Sequence, residues 1–209
     1  MATVGRRTLM QKRERTLIQV FYIFVLPVLF LYFDIIPESF RVPVLLTLCG
    51  LMYAIIRHER WPKKKLGIQK VNHQWIAPYM LFTVAGVVVL ISLARELGHA
   101  PAFMWWKNLH FVLLFVPVSV FQEFAFRGFL TPLLKELRFT RTTVVIISAV
   151  LFTLIHIIYP PLHIAVPLAL LGVVAFALIY ERYPNLFLIS IAHIILNFVA
   201  VLYGFFVIQ

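Results

Sequence analysis

Cysteine and charged residues are scarce in this chain. One cysteine, Cys49, stands among 209 residues, so an internal disulfide and a cysteine-based metal cluster are both excluded. Charged residues make up 13% and hydrophobic residues 62% of the chain, whereas a soluble domain has about 25% charged residues. A water-soluble globular domain is therefore excluded. The aromatic content of 15% excludes a disordered chain as well.

Acidic residues are the scarcer of the two charged classes. The chain has 8 acidic and 19 basic residues and a net charge of +11. A nucleic-acid-binding module would spread its basic residues over one face of a soluble fold. Here they occur in short blocks between apolar runs, which the positive-inside rule explains more simply. We therefore expect a lipid bilayer, and no nucleic acid, as the partner of these charges.

Seven apolar stretches alternate with short polar segments. Most are long enough to cross about 30 Å of hydrocarbon at about 1.5 Å per residue. They are Thr16–Phe33, Val42–Ile56, Trp75–Ala94, Leu109–Leu134, Thr142–Ile158, His163–Tyr180 and Leu186–Ile208. The sequence therefore predicts an all-α protein, a polytopic membrane helix bundle of about seven transmembrane helices. Pro117 is the predicted position of a kink in the long fourth stretch.

The basic residues sort by side when the N-terminus is placed in the cytoplasm. The segments on that side then hold 15 of the 19 basic residues, and the opposite side holds only Arg41, Arg95 and Lys107. This asymmetry predicts a multi-pass protein with a cytoplasmic N-terminus. No organelle signal is visible, so we expect a cell membrane, most simply a prokaryotic plasma membrane. Anionic lipids are the expected partners of its cytoplasmic face.

Six polar side chains lie inside the last spans, where an ionisable group costs roughly 2.5–3.5 kcal/mol to insert. Counted from the cytoplasmic ends, they lie at a similar depth of roughly 10–20 Å. They are Gln122, Glu123, Arg127, His156, His193 and Asn197. Because three different spans bring polar groups to one level, we predict that these six residues form the functional site.

The spacing of these residues favours both a chemical and a purely structural interpretation. Glu123 and Arg127 are four residues apart, as are His193 and Asn197, so each pair shares a helix face. The carboxylate is suited to take a proton from water, and imidazole and amide groups are suited to stabilise an oxyanion. Alternatively, the charges of Glu123 and Arg127 only neutralise each other so that the helix can insert into the membrane. The histidines and the asparagine then only join helices by hydrogen bonds.

Three motifs on successive spans resemble those of the CPBP family (CAAX protease and bacteriocin-processing, also called ABI). That family carries Glu-Glu-x-x-x-Arg, Phe-x-x-x-His and His-x-x-x-Asn or Asp. The chain reads Gln122-Glu123-x-x-x-Arg127-Gly128, then Phe152-x-x-x-His156, then His193-x-x-x-Asn197. The resemblance implies two parts of one membrane domain. Residues 1–104 are expected to form three anchor helices, and residues 105–209 a CPBP-like catalytic helical core.

The resemblance implies an intramembrane endopeptidase of the glutamate type, without metal or cofactor. It would hydrolyse a peptide bond of a membrane-associated protein or peptide. The first glutamate of the family motif and His156 would activate a water molecule, while His193 and Asn197 would form the oxyanion hole. Arg127 would fix the carboxylates.

The chain departs from the family at the first glutamate, which is Gln122. An amide is not a general base. The chain is an inactivated protease, a variant in which Glu123 supplies the base, or a binding or immunity protein that has lost catalysis. Adjacent helical residues point about 100° apart, so Glu123 takes over only with a shifted substrate or a locally distorted helix.

Three rival functions fit parts of the same pattern. Glu123, His156 and His193 make a His₂Glu set like that of zinc hydrolases, although no His-Glu-x-x-His helix is present. Buried Glu and His also suit a proton-coupled transporter, but the chain shows none of the internal repeats common in transporters. Gln122 favours the third rival, a catalytically inactive scaffold.

Overall fold

The computed structural model describes residues 2–101, 109–159 and 161–205. Within these ranges the chain forms nine α-helices. They are α1 (Ala2–Val20), α2 (Leu26–Tyr32), α3 (Arg41–His58), α4 (His73–Glu96), α5 (Leu109–Glu123), α6 (Thr131–Glu136), α7 (Arg141–Ile155), α8 (Leu162–Arg182) and α9 (Leu186–Leu202). Short 3₁₀ turns cover Glu38–Phe40, Lys63–Leu66 and His156–Ile158.

Two π-helical turns join pairs of these helices, so the nine helices make seven continuous units. Phe21–Val25 links α1 to α2, and Phe124–Leu130 links α5 to α6. Each turn lies just before a proline, Pro27 or Pro132. Proline has no N–H and crowds the carbonyl four residues earlier, and a wider turn relieves both problems. Helix α5 continues through Pro117, the predicted position of a kink. The departure from α-helical geometry comes later, at the turn Phe124–Leu130.

Side-chain caps fix where three helices begin. The Asn72 side chain accepts a hydrogen bond from the backbone N–H of Gln74 at 3.0 Å at the start of α4. Thr140 caps α7 in the same way, and Asn185 caps α9. These caps satisfy backbone donors that the helix itself leaves without a partner.

The prediction of a helical membrane bundle is confirmed. Five helices of the described residues are long and apolar enough to span a membrane. They are Met10–Tyr32, Glu38–His58, His73–Glu96, Arg141–Ile158 and Leu162–Arg182. The other two predicted stretches correspond to the α5–α6 unit and to the shorter α9, which ends at Leu202 rather than at the predicted 208. Residues 206–208 lie outside the described residues.

Ion pairs gather the four predicted cytoplasmic segments at one end of the bundle, here called the basic end. Its pairs are Lys12–Glu136 at 2.8 Å, Arg15–Glu59 at 3.1 Å, Lys135–Glu181 at 2.6 Å, and Lys65–Glu136. At the opposite end, the guanidinium of Arg41 donates to the Ile158 carbonyl at 2.9 Å. The charged segments therefore separate in space as they do in the sequence.

The π-helical turn after α5 is the central element of the larger hydrophobic cluster. Every residue from Ala125 to Leu130 is buried, which is expected of a helix surrounded by others. Phe126 contacts Phe24 from the N-terminal unit and Phe152 from α7, at ring-centroid distances of 5.2 and 5.0 Å. The N-terminal helices and the C-terminal half thus share one core around the turn that carries Arg127.

Candidate active site

Glu123 ends α5 and is fully buried, with 0% exposure. Arg127, one turn further along the π-helical segment, donates from Nη1 to Oε1 of Glu123 at 3.3 Å. Its Nε lies 3.2 Å from Oε2, close enough for an ion pair but not aligned for a hydrogen bond. The Glu123 carboxylate is therefore neutralised while Oε2 keeps accepting capacity.

His193 reaches the same carboxylate from α9. Its Nδ1 lies 2.5 Å from Oε1 of Glu123, which is a short, charge-assisted contact. The ring is 4% exposed and lies against the Phe176 ring of α8, with centroids 5.1 Å apart. The fixed start of α9 at Asn185 sets the register that brings His193 to this level.

The proton positions on both site histidines follow from their partners. An ionised carboxylate only accepts hydrogen bonds, so His193 donates Nδ1–H to Glu123. The His156 Nδ1 lies 2.8 Å from the Phe152 carbonyl, which also only accepts. In a neutral imidazole the other nitrogen, Nε2, is then the acceptor. A neutral His193 ring therefore carries its acceptor nitrogen, Nε2, on the side away from Glu123.

The Phe152 side chain lies between the three motifs. Its ring centroid is 4.6 Å from that of His156 and 6.0 Å from that of His193. The Arg127 guanidinium carbon lies 5.8 Å from the same ring centre, a cation–π distance. The second motif thus packs beside the Glu123–Arg127–His193 contacts.

The two amides of the predicted site occupy different environments. Gln122 is 8% exposed, and its buried Oε1 has no hydrogen-bond partner among the described residues. Asn197 is half-buried, one turn after His193 on the same face of α9. It also makes no hydrogen bond within the described ranges. Both amides thus keep hydrogen-bonding capacity for another group.

A metal centre made of the His₂Glu set does not appear in the geometry. Among the described residues, no group of three or more His, Cys, Asp or Glu side chains is arranged to hold a metal ion. Glu123 and His193 use one another as partners, and the His156 Nδ1 is turned to a backbone carbonyl.

Helix α8 supplies three contacts to Arg127 that were not predicted from the sequence. The Val173 carbonyl accepts from Nη2 of Arg127 at 3.4 Å, and the Phe176 ring centre lies 5.7 Å from the Arg127 guanidinium carbon. The Tyr180 hydroxyl lies 3.5 Å from the Arg127 carbonyl oxygen. Their spacing of three and four residues places all three on one helix face. That spacing was the sequence signal for these contacts. It did not identify a site, because stripes of apolar and aromatic residues are common on membrane helices.

Residues 103–199 match the model of a protein family described as Rce1-like, type II CAAX prenyl endopeptidase Rce1-like. Comparison with curated proteins and with solved structures found no match. The matched range includes all three motifs, so the resemblance drawn from them is confirmed. Residues 103–199, just under half of the chain, are thus similar to the Rce1-like type II CAAX prenyl endopeptidases of the CPBP family.

Proposed function

We propose that this protein is an intramembrane endopeptidase that cleaves a membrane-associated protein or peptide. The observation that carries the proposal is the 2.5 Å contact between Nδ1 of His193 and Oε1 of Glu123. A buried carboxylate that holds Nδ1–H of a histidine orients the imidazole and stabilises the imidazolium that forms when Nε2 takes a proton. The pair therefore supplies a base without a glutamate at position 122.

Charge balance supports a neutral His193 in the resting site. Arg127 already neutralises the one buried carboxylate of the group. A protonated His193 would leave a net positive charge in a low-dielectric interior, which is costly. Neutral His193 then presents Nε2 as an acceptor, which suits a general base.

In the proposed reaction, water attacks the carbonyl carbon of the scissile peptide bond while Nε2 of His193 takes one proton of that water. The amide N–H groups of Gln122 and Asn197 donate to the oxyanion. The intermediate collapses, the C–N bond breaks, and the proton on Nε2 passes to the leaving nitrogen. His156, on the neighbouring motif, orients the water. Gln122 is thus assigned a donor role that an amide can perform.

The family scheme assigns some of these residues differently. There His193 and Asn197 form the oxyanion hole, and position 122 with His156 activates the water. Under that scheme Gln122 inactivates the chain. The two schemes differ in one measurable respect, namely whether the chain with Gln122 cleaves.

The basic end, in our proposal, faces the cytoplasm of a cell membrane. It collects the lysines and arginines that the positive-inside rule concerns, including Lys12, Lys65 and Lys135. Anionic lipids of the inner leaflet would then surround it. Labelling of single cysteines tests this orientation in intact cells. One is placed at Lys70, just before α4, and the other at Glu96, the last residue of α4. Labelling of the first from outside would contradict it.

A catalytically inactive binding or immunity scaffold is the second candidate function. Gln122 favours it, because the family places a general base at this position. Such a protein would bind the same class of membrane-associated polypeptide but would release it uncut. The fold and the buried Glu123–Arg127–His193 contacts would then serve only stability.

Cleavage of a membrane-anchored peptide library by the purified protein tests the proposal. We compare the unmodified chain with Gln122→Glu and His193→Ala, and with His163→Ala as a control at an exposed histidine of α8. The expected result is cleavage by the unmodified chain, a loss of about 100-fold or more in His193→Ala, and no loss in the control. A chelator is expected to leave the rate unchanged.

Two outcomes would replace this proposal. If only Gln122→Glu cleaves, the base belongs at position 122 and the chain is an inactivated glutamate protease. If neither form cleaves while both remain folded, the scaffold function is the correct one. Loss of cleavage when a chelator is added would instead support the rival function of a zinc hydrolase.

A further inference from the structure

A cavity opens at the basic end, next to the candidate active site. It has a volume of about 400 Å³, within the range of small-molecule sites. Its lining includes Lys64, Lys65, Lys135, Glu136 and Tyr180, and it extends inward to Arg127. We call it the basic-end cavity. It lies between the 3₁₀ turn after α3, helix α6 and the last turn of α8.

The charge of the lining favours an anion. Four basic side chains and one acidic side chain line the cavity. Lys65 and Lys135 are paired with Glu136 and Glu181. Lys64, in contrast, is exposed and forms no ion pair within the described part of the chain. One lysine at the rim is therefore available to an incoming anion without breaking an existing contact.

In the proposed orientation, the cavity lies at the level of the bilayer headgroups. Its walls come from residues near the ends of membrane helices, with Tyr180 close to the end of α8 at Arg182 and Lys135 close to the end of α6. Pro132, Pro184 and the buried Tyr180 give it apolar sides. A phosphate with a glycerol attached is anionic on one side and weakly polar on the other, and it fits this combination.

The cavity has a fixed wall. Gly67 adopts a left-handed backbone with φ of 73°, and its carbonyl accepts from the N–H of Leu186 at 2.9 Å. The Tyr180 hydroxyl lies against this glycine so closely that a Cβ there would overlap it. The loop after α3 is thus held against the α8–α9 connection, which fixes one wall of the cavity.

We propose that the basic-end cavity is a binding site for the phosphate headgroup of one anionic phospholipid. Basic pockets between membrane helices bind such headgroups more specifically than a diffuse positive surface does. The site is distinct from the general attraction of anionic lipids to the basic end, because it predicts saturable binding that depends on Lys64. It does not depend on peptide hydrolysis.

Binding of a short-chain phosphatidylglycerol to the purified protein in zwitterionic micelles tests the site. We measure the rise in melting temperature against lipid concentration at constant ionic strength, with phosphatidylcholine of the same chain length for comparison. Saturable stabilisation by phosphatidylglycerol alone is expected. Lys64→Gln is expected to weaken the apparent affinity about fivefold, as the loss of one surface-placed lysine predicts. Lys64→Arg is expected to bind like the unmodified chain.

Lys63→Gln is the matched control, since Lys63 is exposed in the same 3₁₀ turn but does not line the cavity. Equal weakening by Lys63→Gln and Lys64→Gln would overturn the proposal in favour of diffuse surface attraction. Stabilisation that does not saturate, or that phosphatidylcholine reproduces, would also overturn it. Glycerol phosphate added without lipid distinguishes a free phosphate from a lipid headgroup as the bound anion. If it stabilises as strongly as the lipid, the site takes a free phosphate and the lipid assignment is wrong.

Discussion

The interior site and the basic end use the same kinds of charged side chain at different depths. In the interior, Glu123, Arg127 and His193 are at most 4% exposed. At the basic end, the side chains of Lys12 and Glu136 are 48% and 24% exposed. Water is therefore an alternative partner for each charge at the basic end, whereas the interior charges contact, among the described residues, one another and nearby backbone or aromatic groups.

This difference decides what each network contributes. An interior ion that loses its partner keeps its desolvation penalty, so the remaining contacts depend on one another. An ion at the basic end is rehydrated when its partner is removed, and a surface pair contributes about 1 kcal/mol or less. We therefore expect the interior network to set the stability and geometry of the site, and the basic end to set orientation and lipid contacts.

Arg127→Leu is expected to have the largest effect on stability. It would leave the fully buried Glu123 carboxylate without its guanidinium, which costs about 3–5 kcal/mol when a buried pair is broken. It would also remove the donor to the Val173 carbonyl. The free energy of unfolding in detergent, measured by denaturant titration, gives the value.

The double substitution Glu123→Gln with Arg127→Leu serves as the control, since it removes both charges. It is expected to be less destabilising than Arg127→Leu alone. If Arg127→Leu leaves stability and cleavage unchanged, the role of Arg127 as the partner that holds Glu123 ionised is wrong.

Gly67→Ala is expected to follow, with a loss of about 3 kcal/mol. A left-handed backbone costs an alanine about 1–2 kcal/mol, and overlap with the Tyr180 hydroxyl adds an overpacking penalty. Gly98→Ala is the matched control because Gly98 has a similar φ of 69° but open space around it. A loss of only about 1 kcal/mol is expected there. Equal losses at both glycines would show that contact with Tyr180 does not hold the loop.

The helical bundle and the identity of the polar residues were predictable from the sequence. Hydropathy and the placement of basic residues follow directly from the bilayer as solvent, so they are visible without a structure. The ionisable residues stand out in the same way, because Glu123 or His193 in an apolar run needs a reason to be there.

The pairing of Glu123 with Arg127 follows from their spacing, but the contact of His193 with the same carboxylate was not predictable. A helical wheel assumes a constant angle per residue, but the π-helical turn that follows Glu123 changes the direction of every later side chain in the unit. Pro132 indicates a departure from regular α-helical geometry nearby, but it does not indicate a π-helical turn or where that turn lies. The basic-end cavity was hidden for another reason, since its walls at Gly67 and Tyr180 are far apart in the sequence.

Lys135→Leu is expected to have a small effect, which sharpens the contrast with Arg127→Leu. Its side chain pairs with Glu181 at 2.6 Å but is 46% exposed, so the expected loss is below about 1 kcal/mol. The loss is also expected to shrink at high salt, where exposed charges are screened. Denaturant titration at low and high salt measures both quantities. A loss as large as that of Arg127→Leu would mean that the two networks do not differ as described.

The smallest expected effect concerns pH at the basic end. Burial by itself would raise the pKa of Glu136, but hydrogen bonds from Lys12 and Lys65 outweigh it and lower the pKa below its ordinary value of 4.5. A carboxyl group whose pKa is lowered by folding stabilises the fold above its ordinary pKa. This contribution is lost as the pH falls through the lowered pKa.

Glu136→Gln is therefore expected to be slightly less stable than the unmodified chain at pH 7. The difference is expected to shrink as the pH falls below 4.5 and to disappear once the pH is below the lowered pKa. Melting temperatures of both forms are measured across this range. Their difference at each pH removes the contribution of the other acids, which titrate in both forms. Glu14→Gln is the control, because Glu14 is an exposed acid of α1 with no ion pair among the described residues. Its difference from the unmodified chain is expected to stay near zero at every pH. A Glu136→Gln difference that persists in acid would mean that packing, and not charge, joins α1 to the basic end.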